Sequence, residues 1–260
     1  MFLFEMTGGI KIVTMTQKVI NFAHRGASGV CPENTMAAFR HALELGATGI
    51  ETDVQRTQDG HLVLIHDESL ERTTGCPLDV KDITQEELNK LDAGSWFDEK
   101  FRGERVPMLD ELLELAQSSD TIINLELKNS VHLYPGMEEE VIAAVKRFGL
   151  EERVILSSFN HESLALCAQI APEIKTGALY IEIMVRPAEY ATQFGVTALH
   201  AYKQVVTPEA VSEALALGVV YHPWTVNEPE EMERLLEAGV NGIITDYPDR
   251  LAHILAVHSS

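Results

Sequence analysis

Short apolar runs rich in β-branched residues alternate along this chain with longer segments in which apolar residues recur every three to four positions. The first pattern predicts buried strands, and the second predicts amphipathic helices. The predicted strands are Val19–Ala23, Gly49–Val54, Leu62–Ile65, Thr121–Leu127, Val154–Ser157, Lys175–Leu179, Val196–Leu199, Val219–Trp224 and Gly242–Thr245. The predicted helices are Asn34–Leu45, Thr84–Leu91, Met108–Gln117, Glu138–Phe148, Glu162–Ile170, Pro187–Phe194, Pro208–Leu217, Glu228–Ala238 and Asp249–Ala256.

The spacing of these elements predicts a parallel α/β sheet. In the second half of the chain one strand follows another after about 20 to 30 residues, which is the rhythm of βα units. A closed (β/α)8 TIM barrel and an open doubly wound sheet share this rhythm. At least eight strands follow residue 18, and no Gly-x-Gly-x-x-Gly turn follows the first of them, so we expect the barrel.

The barrel is expected to be a single domain over residues 19–260. Residues 67–107 break the rhythm and predict a small insertion, packed over one end of the barrel after the strand that ends at His66. Residues 1–18 mix apolar and charged residues without the basic and apolar regions of a signal peptide. We expect them to be a poorly ordered N-terminal extension.

Composition and charge narrow the function. The net charge of −20 and the absence of a basic stripe argue against nucleic acid as a partner, and an anionic membrane surface would repel the chain. No apolar run approaches the 18 residues typical of a membrane span. The three cysteines are far apart in sequence and lack metal-type spacing, which fits a cytoplasmic protein. An anionic substrate would need a local cationic site to reverse the overall field.

Two pairs of charged residues lie on predicted strands. Glu51 and Asp53 are two positions apart, so both carboxylates point to one face of their strand, which is the interior in a barrel. Carboxylates this close repel unless a cation or a proton lies between them, and hard oxygen ligands suit Ca²⁺ or Mg²⁺. Glu126 and Lys128 repeat this spacing on a later strand. A solvent-facing strand end and an ordinary ion pair are the alternatives.

His24 and His66 each follow a predicted strand, and either imidazole can act as an acid or a base near neutral pH. Arg25 offers a planar fork for two phosphate oxygens, and Gly26 would let the backbone turn closely beneath a ligand. A lone histidine at a strand end is usually structural, but two beside candidate metal carboxylates predict a catalytic site. His200 and His222 are minor candidates near later strand ends.

These motifs, taken together, resemble the glycerophosphodiester phosphodiesterases, and in particular their bacterial, cytosolic members. The resemblance covers about residues 19 to 255. It is carried by His24-Arg25-Gly26, Pro32-Glu33-Asn34-Thr35, Glu51-x-Asp53, His66-Asp67 and Glu126-x-Lys128, and then by Ser158-Phe159, Trp224-Thr225-Val226-Asn227 and Thr245-Asp246-x-Pro248.

The resemblance implies a TIM barrel with a small insertion and hydrolysis of glycerophosphodiesters to an alcohol and sn-glycerol 3-phosphate. It implies that Glu51, Asp53 and Glu126 hold a divalent cation, with Ca²⁺ and Mg²⁺ both open, and that His24 and His66 are the acid–base pair. It further implies that Arg25 and Lys128 bind the phosphate and that Glu33 orients Arg25. Phe159 and Trp224 are expected to form the wall on the glycerol side, with core packing as the alternative for Phe159.

Three other functions stay open at this stage. The same barrel could act on lysophospholipids, which would require a wide apolar mouth or a membrane anchor. It could be a binding protein without catalysis, or an unrelated barrel that binds sugar phosphates. The expected partner is a small-molecule glycerophosphodiester without stable membrane association, and the oligomeric state is not predicted.

Overall fold

The computed structural model describes residues 18–258. Its strands are β1 (Ile20–His24), β2 (Gly49–Arg56), β3 (Leu62–Leu64), β4 (Ile122–Leu127), β5 (Val154–Ser158), β6 (Lys175–Tyr180), β7 (Ala198–Ala201), β8 (Val220–Tyr221) and β9 (Gly242–Thr245). Its α-helices are α1 (Met36–Glu44), α2 (Glu71–Thr74), α3 (Gln85–Leu88), α4 (Leu109–Gln117), α5 (Met137–Phe148), α6 (His161–Ile170), α7 (Pro187–Thr192), α8 (Pro208–Ala216), α9 (Pro229–Glu237) and α10 (Pro248–His258). The predicted extension over residues 1–18 lies, except for Lys18, outside the described residues.

Eight of the strands run parallel in the order β8-β7-β6-β5-β4-β2-β1-β9. The last gap, between β8 and β9, is bridged by separate backbone hydrogen bonds rather than by a ladder. The amide of Asn241 donates to the carbonyl of Tyr221 (3.1 Å), and the amide of Ile244 donates to the carbonyl of Pro223 (2.9 Å). The sheet therefore closes on itself, and the predicted TIM barrel is confirmed.

The third strand does not belong to the barrel. β3 pairs antiparallel with β2 and ends at Leu64, two residues before His66. The connection between β2 and β3 has only five residues, too few for the crossover that a parallel neighbour requires. The prediction that His66 lies at the end of a barrel strand is therefore wrong in this detail, because His66 follows a hairpin strand that extends β2.

Several predicted helices are shorter at their ends than the pattern suggested. α1 begins at Met36 rather than Asn34, because Thr35 is its N-cap and accepts a hydrogen bond from the amide of Ala38. α3 covers only Gln85–Leu88, with a capping box of Thr84 and Glu87 at its N-terminus. A sequence pattern includes the capping residues, whereas the helix itself excludes them, so predicted and observed ends differ by a few residues.

The main hydrophobic clusters lie between the barrel and the surrounding helices. One packs α1, α4 and α5 against β2 and β4, and the other packs α7 to α10 against β6 to β9. Residues 67–107 add a separate small cluster that includes Leu70, Val80, Ile83 and Leu88 and that packs on Val63 of β3. The insertion thus has its own core and is anchored on the hairpin strand beside His66. Between residues 18 and 258, none of the helices combines the length and the apolar character that a membrane crossing requires.

Candidate active site

Three carboxylates meet inside the barrel because of the register between β2 and β4. Asp53 lies directly opposite Glu126, and Glu51 lies opposite Asn124. Period-two geometry points Glu51 and Asp53 to the same face, so one oxygen from each of the three carboxylates lies within 4.8 Å of the other two. The site expected from the Glu51-x-Asp53 and Glu126-x-Lys128 spacing is therefore assembled in space.

The carboxylate cluster is almost fully buried, with 4% of Glu51, 1% of Asp53 and 9% of Glu126 exposed. Burial raises the pKa of Glu51 well above its usual range, and the charges of Asp53 and Glu126 raise it further. Burial and the Asp53 charge also raise the pKa of Glu126. Three buried acids this close call for a positive charge between them, and Asp53 Oδ1 has no hydrogen-bond partner among the described residues.

Arg25 and Lys128 are the basic side chains that line this cluster. The Lys128 ammonium lies 2.9 Å from Glu126 Oε1 and 3.9 Å from Asp53 Oδ1. Arg25 has a left-handed backbone, with φ of 53°, so its amide can donate to Glu51 Oε2 at 3.0 Å. Its Nη1 donates to Glu33 Oε1 at 2.9 Å, and its Nε lies 3.5 Å from Asp53 Oδ2. Left-handed backbone at a non-glycine residue is costly and concentrates at functional sites.

His24, at the end of β1, is held by a carboxylate that follows the last strand of the barrel. Its Nδ1 lies 2.6 Å from Oδ1 of Asp246, which directly follows β9. Asp246 also accepts hydrogen bonds from Ser28 Oγ (2.9 Å) and Asn227 Nδ2 (2.6 Å). Burial works against ionisation of Asp246, but these hydrogen bonds and His24 lower its pKa to about 2. The ionised Asp246 accepts a hydrogen bond from Nδ1 and leaves Nε2 of His24 on the other side of the ring, 4.0 Å from Glu51.

His66 has a matching partner in the next residue of the chain. Its Nδ1 lies 2.7 Å from Asp67 Oδ1, while Arg72 Nε donates to Asp67 Oδ2 at 2.6 Å. The hydrogen bond from Arg72 is the largest cause that lowers the Asp67 pKa to about 2. Both histidines therefore have an ionised carboxylate at Nδ1.

The opposite side of the cavity is apolar. Phe159 follows β5 and Trp224 follows β8, and their rings pack edge to face with centroids 5.8 Å apart. Both line the same cavity as His24, Arg25, Glu51 and His66. Phe159 is 39% exposed, so it belongs to the cavity wall rather than to the core.

Several other candidates have different surroundings. His200 and His222 are buried inside the barrel, with a hydrogen bond of 3.1 Å between their rings, and neither lines the cavity of His24 and His66. Gly26 packs closely against α1. A Cβ on it would lie 2.7 Å from the carbonyl carbon of Ala38, and its φ is 80°. The role of Gly26 beneath a ligand stays a prediction.

Sequence reasoning assigned no role to several residues that hold the site together. Asp246 and Asp67 were quoted within motifs, but their contacts with the two histidines depend on side-chain geometry. Asn34 Nδ2 donates to Asp53 Oδ2 at 2.9 Å. Arg72 carried no signal, because it lies within the insertion and belongs to none of the motifs.

The chain is similar to proteins of a known family. Residues 24–250 match the model of the Glycerophosphoryl diester phosphodiesterase family. The chain is 50% identical over 238 residues to a glycerophosphodiester phosphodiesterase of Caldanaerobacter subterraneus subsp. tengcongensis, covering 92% of this chain and 98% of that protein. It is 46% identical over 236 residues to one of Bacillus altitudinis, covering 90% and 96%.

Solved structures show the same fold. A phosphodiesterase of Oleispira antarctica, in complex with the product sn-glycerol-3-phosphate, superposes with a TM-score of 0.80 at 31% identity, covering 90% of this chain and 96% of that one. A glycerophosphodiester phosphodiesterase of Agrobacterium tumefaciens gives 0.78 at 30% identity, covering 89% and 98%.

The barrel and its charged mouth define a TIM-barrel hydrolase. The chain belongs to the glycerophosphoryl diester phosphodiesterase family, and the enzyme class expected from the motifs is thereby confirmed.

Proposed function

We propose that this enzyme hydrolyses small glycerophosphodiesters to an alcohol and sn-glycerol 3-phosphate. The observation that carries the proposal is the meeting of three carboxylates, two cationic side chains and two carboxylate-paired histidines in one cavity. The neighbour that holds sn-glycerol-3-phosphate supports the same product here. We further propose that the enzyme works in the cytoplasm.

The residues present fit a divalent cation. Glu51, Asp53 and Glu126 supply only oxygen donors, and Asp53 Oδ1 and Asn124 Oδ1 are buried polar atoms with no hydrogen-bond partner among the described residues. Oxygen donors suit Ca²⁺ and Mg²⁺, and both ions stay candidates. When bound, the cation would supply positive charge that neutralises phosphate oxygens.

Arg25 and Lys128 bind the phosphodiester in this proposal. Lys128 is a compact charge beside Glu126, and Arg25 is a planar fork that Glu33 holds through Nη1. Together with the divalent cation, these two side chains would supply the local positive charge that a phosphate requires in a chain of net charge −20.

The two histidines move the protons. One takes a proton from the attacking hydroxyl, the P–O bond to the leaving alcohol breaks, and the other histidine gives that alcohol its proton. Asp246 and Asp67 each accept a hydrogen bond from Nδ1, so Nε2 of the base is open to take a proton and Nε2 of the acid carries the proton that it gives. The attacking hydroxyl is that of water, which yields sn-glycerol 3-phosphate directly, or the neighbouring hydroxyl of the glycerol, which yields a cyclic phosphate that water then opens. Either histidine can be the base. Phe159 and Trp224 form the wall for the glycerol moiety.

One observation favours a second substrate class, the lysophospholipids. Leu179 of β6 lines the cavity, and the chain beyond it carries exposed apolar side chains at Ile181 (50%), Ile183 (89%) and Val185 (88%). An acyl chain on the glycerol would contact such a surface.

Product analysis on metal-free enzyme tests the proposal. Several glycerophosphodiesters and one lysophosphatidylcholine are incubated with Ca²⁺ or Mg²⁺ added back, and the products are identified. We expect sn-glycerol 3-phosphate and the free alcohol from glycerophosphocholine. Faster cleavage of the lysolipid would favour the second class, and binding without any product would show a protein that has lost catalysis.

A further inference from the structure

Arg72 lies in α2 of the insertion, and all three of its guanidinium nitrogens bind carboxylates that belong to the active site. Its Nε donates to Asp67 Oδ2 at 2.6 Å. Its Nη1 and Nη2 donate to Glu33 Oε2 and Oε1 at 2.8 and 2.7 Å. The contact with Glu33 is the bidentate fork that gives arginine–carboxylate pairs both strength and a fixed geometry.

Each of these carboxylates has a second partner in the catalytic machinery. Glu33 Oε1 also accepts from Nη1 of Arg25, and Asp67 Oδ1 holds Nδ1 of His66. A chain of side-chain hydrogen bonds thus runs through His66, Asp67, Arg72, Glu33 and Arg25. Arg72 is the central member, and it is the one that contacts both carboxylates.

The charge of Arg72 has a defined effect on both carboxylates. Burial works to raise the pKa of Glu33, but Arg72 and Arg25 together lower it. Without Arg72, the negative charges of Glu33 and Asp67 beside the phosphate site would be less neutralised, in a chain whose net charge is already −20. Arg72 therefore leaves more of the Arg25 charge for the substrate.

The backbone around His66 does not depend on Arg72. The buried amide of Gln55 donates through Nε2 to the carbonyls of Ile65, His66 and Asp67, at 3.2, 3.1 and 2.7 Å. Tyr134 in turn donates to Gln55 Oε1 at 3.1 Å. The main chain is held from the barrel side, so what Arg72 fixes is the side chains of Asp67 and Glu33.

We propose that Arg72 is a positioning residue through which the insertion sets the side chains of Arg25 and His66 together, and so couples phosphate binding to proton transfer. This inference rests on the proposed function, because it assigns Arg25 to the phosphate and His66 to a proton.

Steady-state kinetics on glycerophosphocholine test the inference with Arg72→Met and Arg72→Lys. Loss of a residue that orients a functional side chain typically costs about 10- to 100-fold in activity. We expect Arg72→Met to raise KM and to lower kcat, each by about ten-fold, because it releases the side chains of both Glu33 and Asp67. Lysine lacks the fork, so Arg72→Lys should restore only part of the loss. Arg102→Met is the matched control, since Arg102 lies in the same insertion and forks onto the exposed Glu99.

A double-mutant cycle separates positioning from simple attachment of the insertion. Glu33→Gln removes the same fork, so Arg72→Met should cost less in that background than in the wild type. Fully additive effects would contradict the coupling. Unchanged kcat and KM in a folded Arg72→Met enzyme would overturn the inference, and so would a lower melting temperature accompanied by wild-type kinetics. If Arg72→Met does not fold, Arg72→Lys carries the same cycle.

Phosphate binding by calorimetry keeps this inference distinct from the proposed function. If the wild type binds inorganic phosphate but cleaves no glycerophosphodiester, the proposed function fails. The inference still requires weaker phosphate binding in Arg72→Met than in Arg102→Met, and equal binding overturns it. A wild type that binds no phosphate overturns both.

Discussion

Nδ1 of His24 and Oδ1 of Asp246 lie 2.6 Å apart although 222 positions of sequence separate the two residues. His24 ends β1 and Asp246 follows β9, and these two strands pair in parallel from Ile20 with Gly242 to Ala23 with Thr245. The pairing that joins the first and last strands of the barrel therefore also brings His24 and Asp246 together. Barrel closure and this contact depend on the same strand pairing.

Asp246→Asn should impair catalysis while leaving the fold intact. An amide in place of the carboxylate can donate to Nδ1 of His24, which would favour the wrong tautomer and no longer stabilise the charged ring. We expect kcat to fall by about 10- to 100-fold with little change in KM. Steady-state kinetics measure this, with Asp249→Asn as the control because Asp249 is exposed three residues further on. Equal kcat values in the two variants would show that Asp246 does not orient His24.

The pH dependence of stability should report the same carboxylate. The pKa of Asp246 is lowered to about 2 in the folded protein, while an unfolded aspartate has a pKa of about 3.9. A lowered folded pKa gives stability that is present above the unfolded value and is lost as the pH falls from about 4 to about 2. The contribution is about 2 kcal/mol at neutral pH. When urea unfolding is measured between pH 6 and pH 3, the free energy of unfolding should fall less in Asp246→Asn than in the wild type. The same fall in both proteins would reject this assignment.

His24→Ala and His66→Ala should each lower turnover by about 10²–10⁴-fold, which is the typical contribution of positioned acid–base catalysis. Both side chains are partly exposed at the cavity, so their removal should leave the circular dichroism spectrum unchanged. His253→Ala is the control, because His253 is exposed on α10. Near-normal turnover in either purified variant removes that histidine from the mechanism.

Chelation should abolish activity and lower stability. Buried carboxylates that share a cation lose it to EDTA, and their repulsion then opposes folding. An ion at a hundred times its Kd stabilises the folded state by about 2.7 kcal/mol, so adding back Ca²⁺ or Mg²⁺ should raise the melting temperature. Glu126→Gln should weaken that increase, whereas Glu44→Gln, an exposed change on α1, should not. Full activity after exhaustive dialysis against EDTA would falsify the metal assignment.

The sequence predicted those parts of the site that depend on local periodicity. Alternation along β2 placed Glu51 and Asp53 on one face, and the βα rhythm predicted that this face lies inside a barrel. The pairing of Asp53 with Glu126 depends on the register between β2 and β4, which the spacing within either strand does not specify. The antiparallel direction of β3 was readable in principle, since its five-residue connection to β2 is too short for a crossover. Arg72 was not predictable, because its role arises only when the insertion folds onto Glu33 and Asp67.

Gly177→Ala should destabilise the barrel interior through His200. A Cβ on Gly177 would lie 2.4 Å from Nε2 of His200, which is closer than any ordinary contact. The His200 ring cannot turn away at no cost, because it is fully buried and hydrogen-bonded to His222 at 3.1 Å. Burial keeps the pKa of His200 well below its usual range, so the ring stays neutral inside the barrel. Overpacking of this kind costs about 1–3 kcal/mol in the free energy of unfolding.

The double variant with His200→Ala provides the control, because a smaller side chain at position 200 leaves room for the new methyl group. We expect Gly177→Ala to cost clearly less in that background when urea unfolding is measured, and equal costs in both backgrounds would show that His200 is not what the methyl group meets.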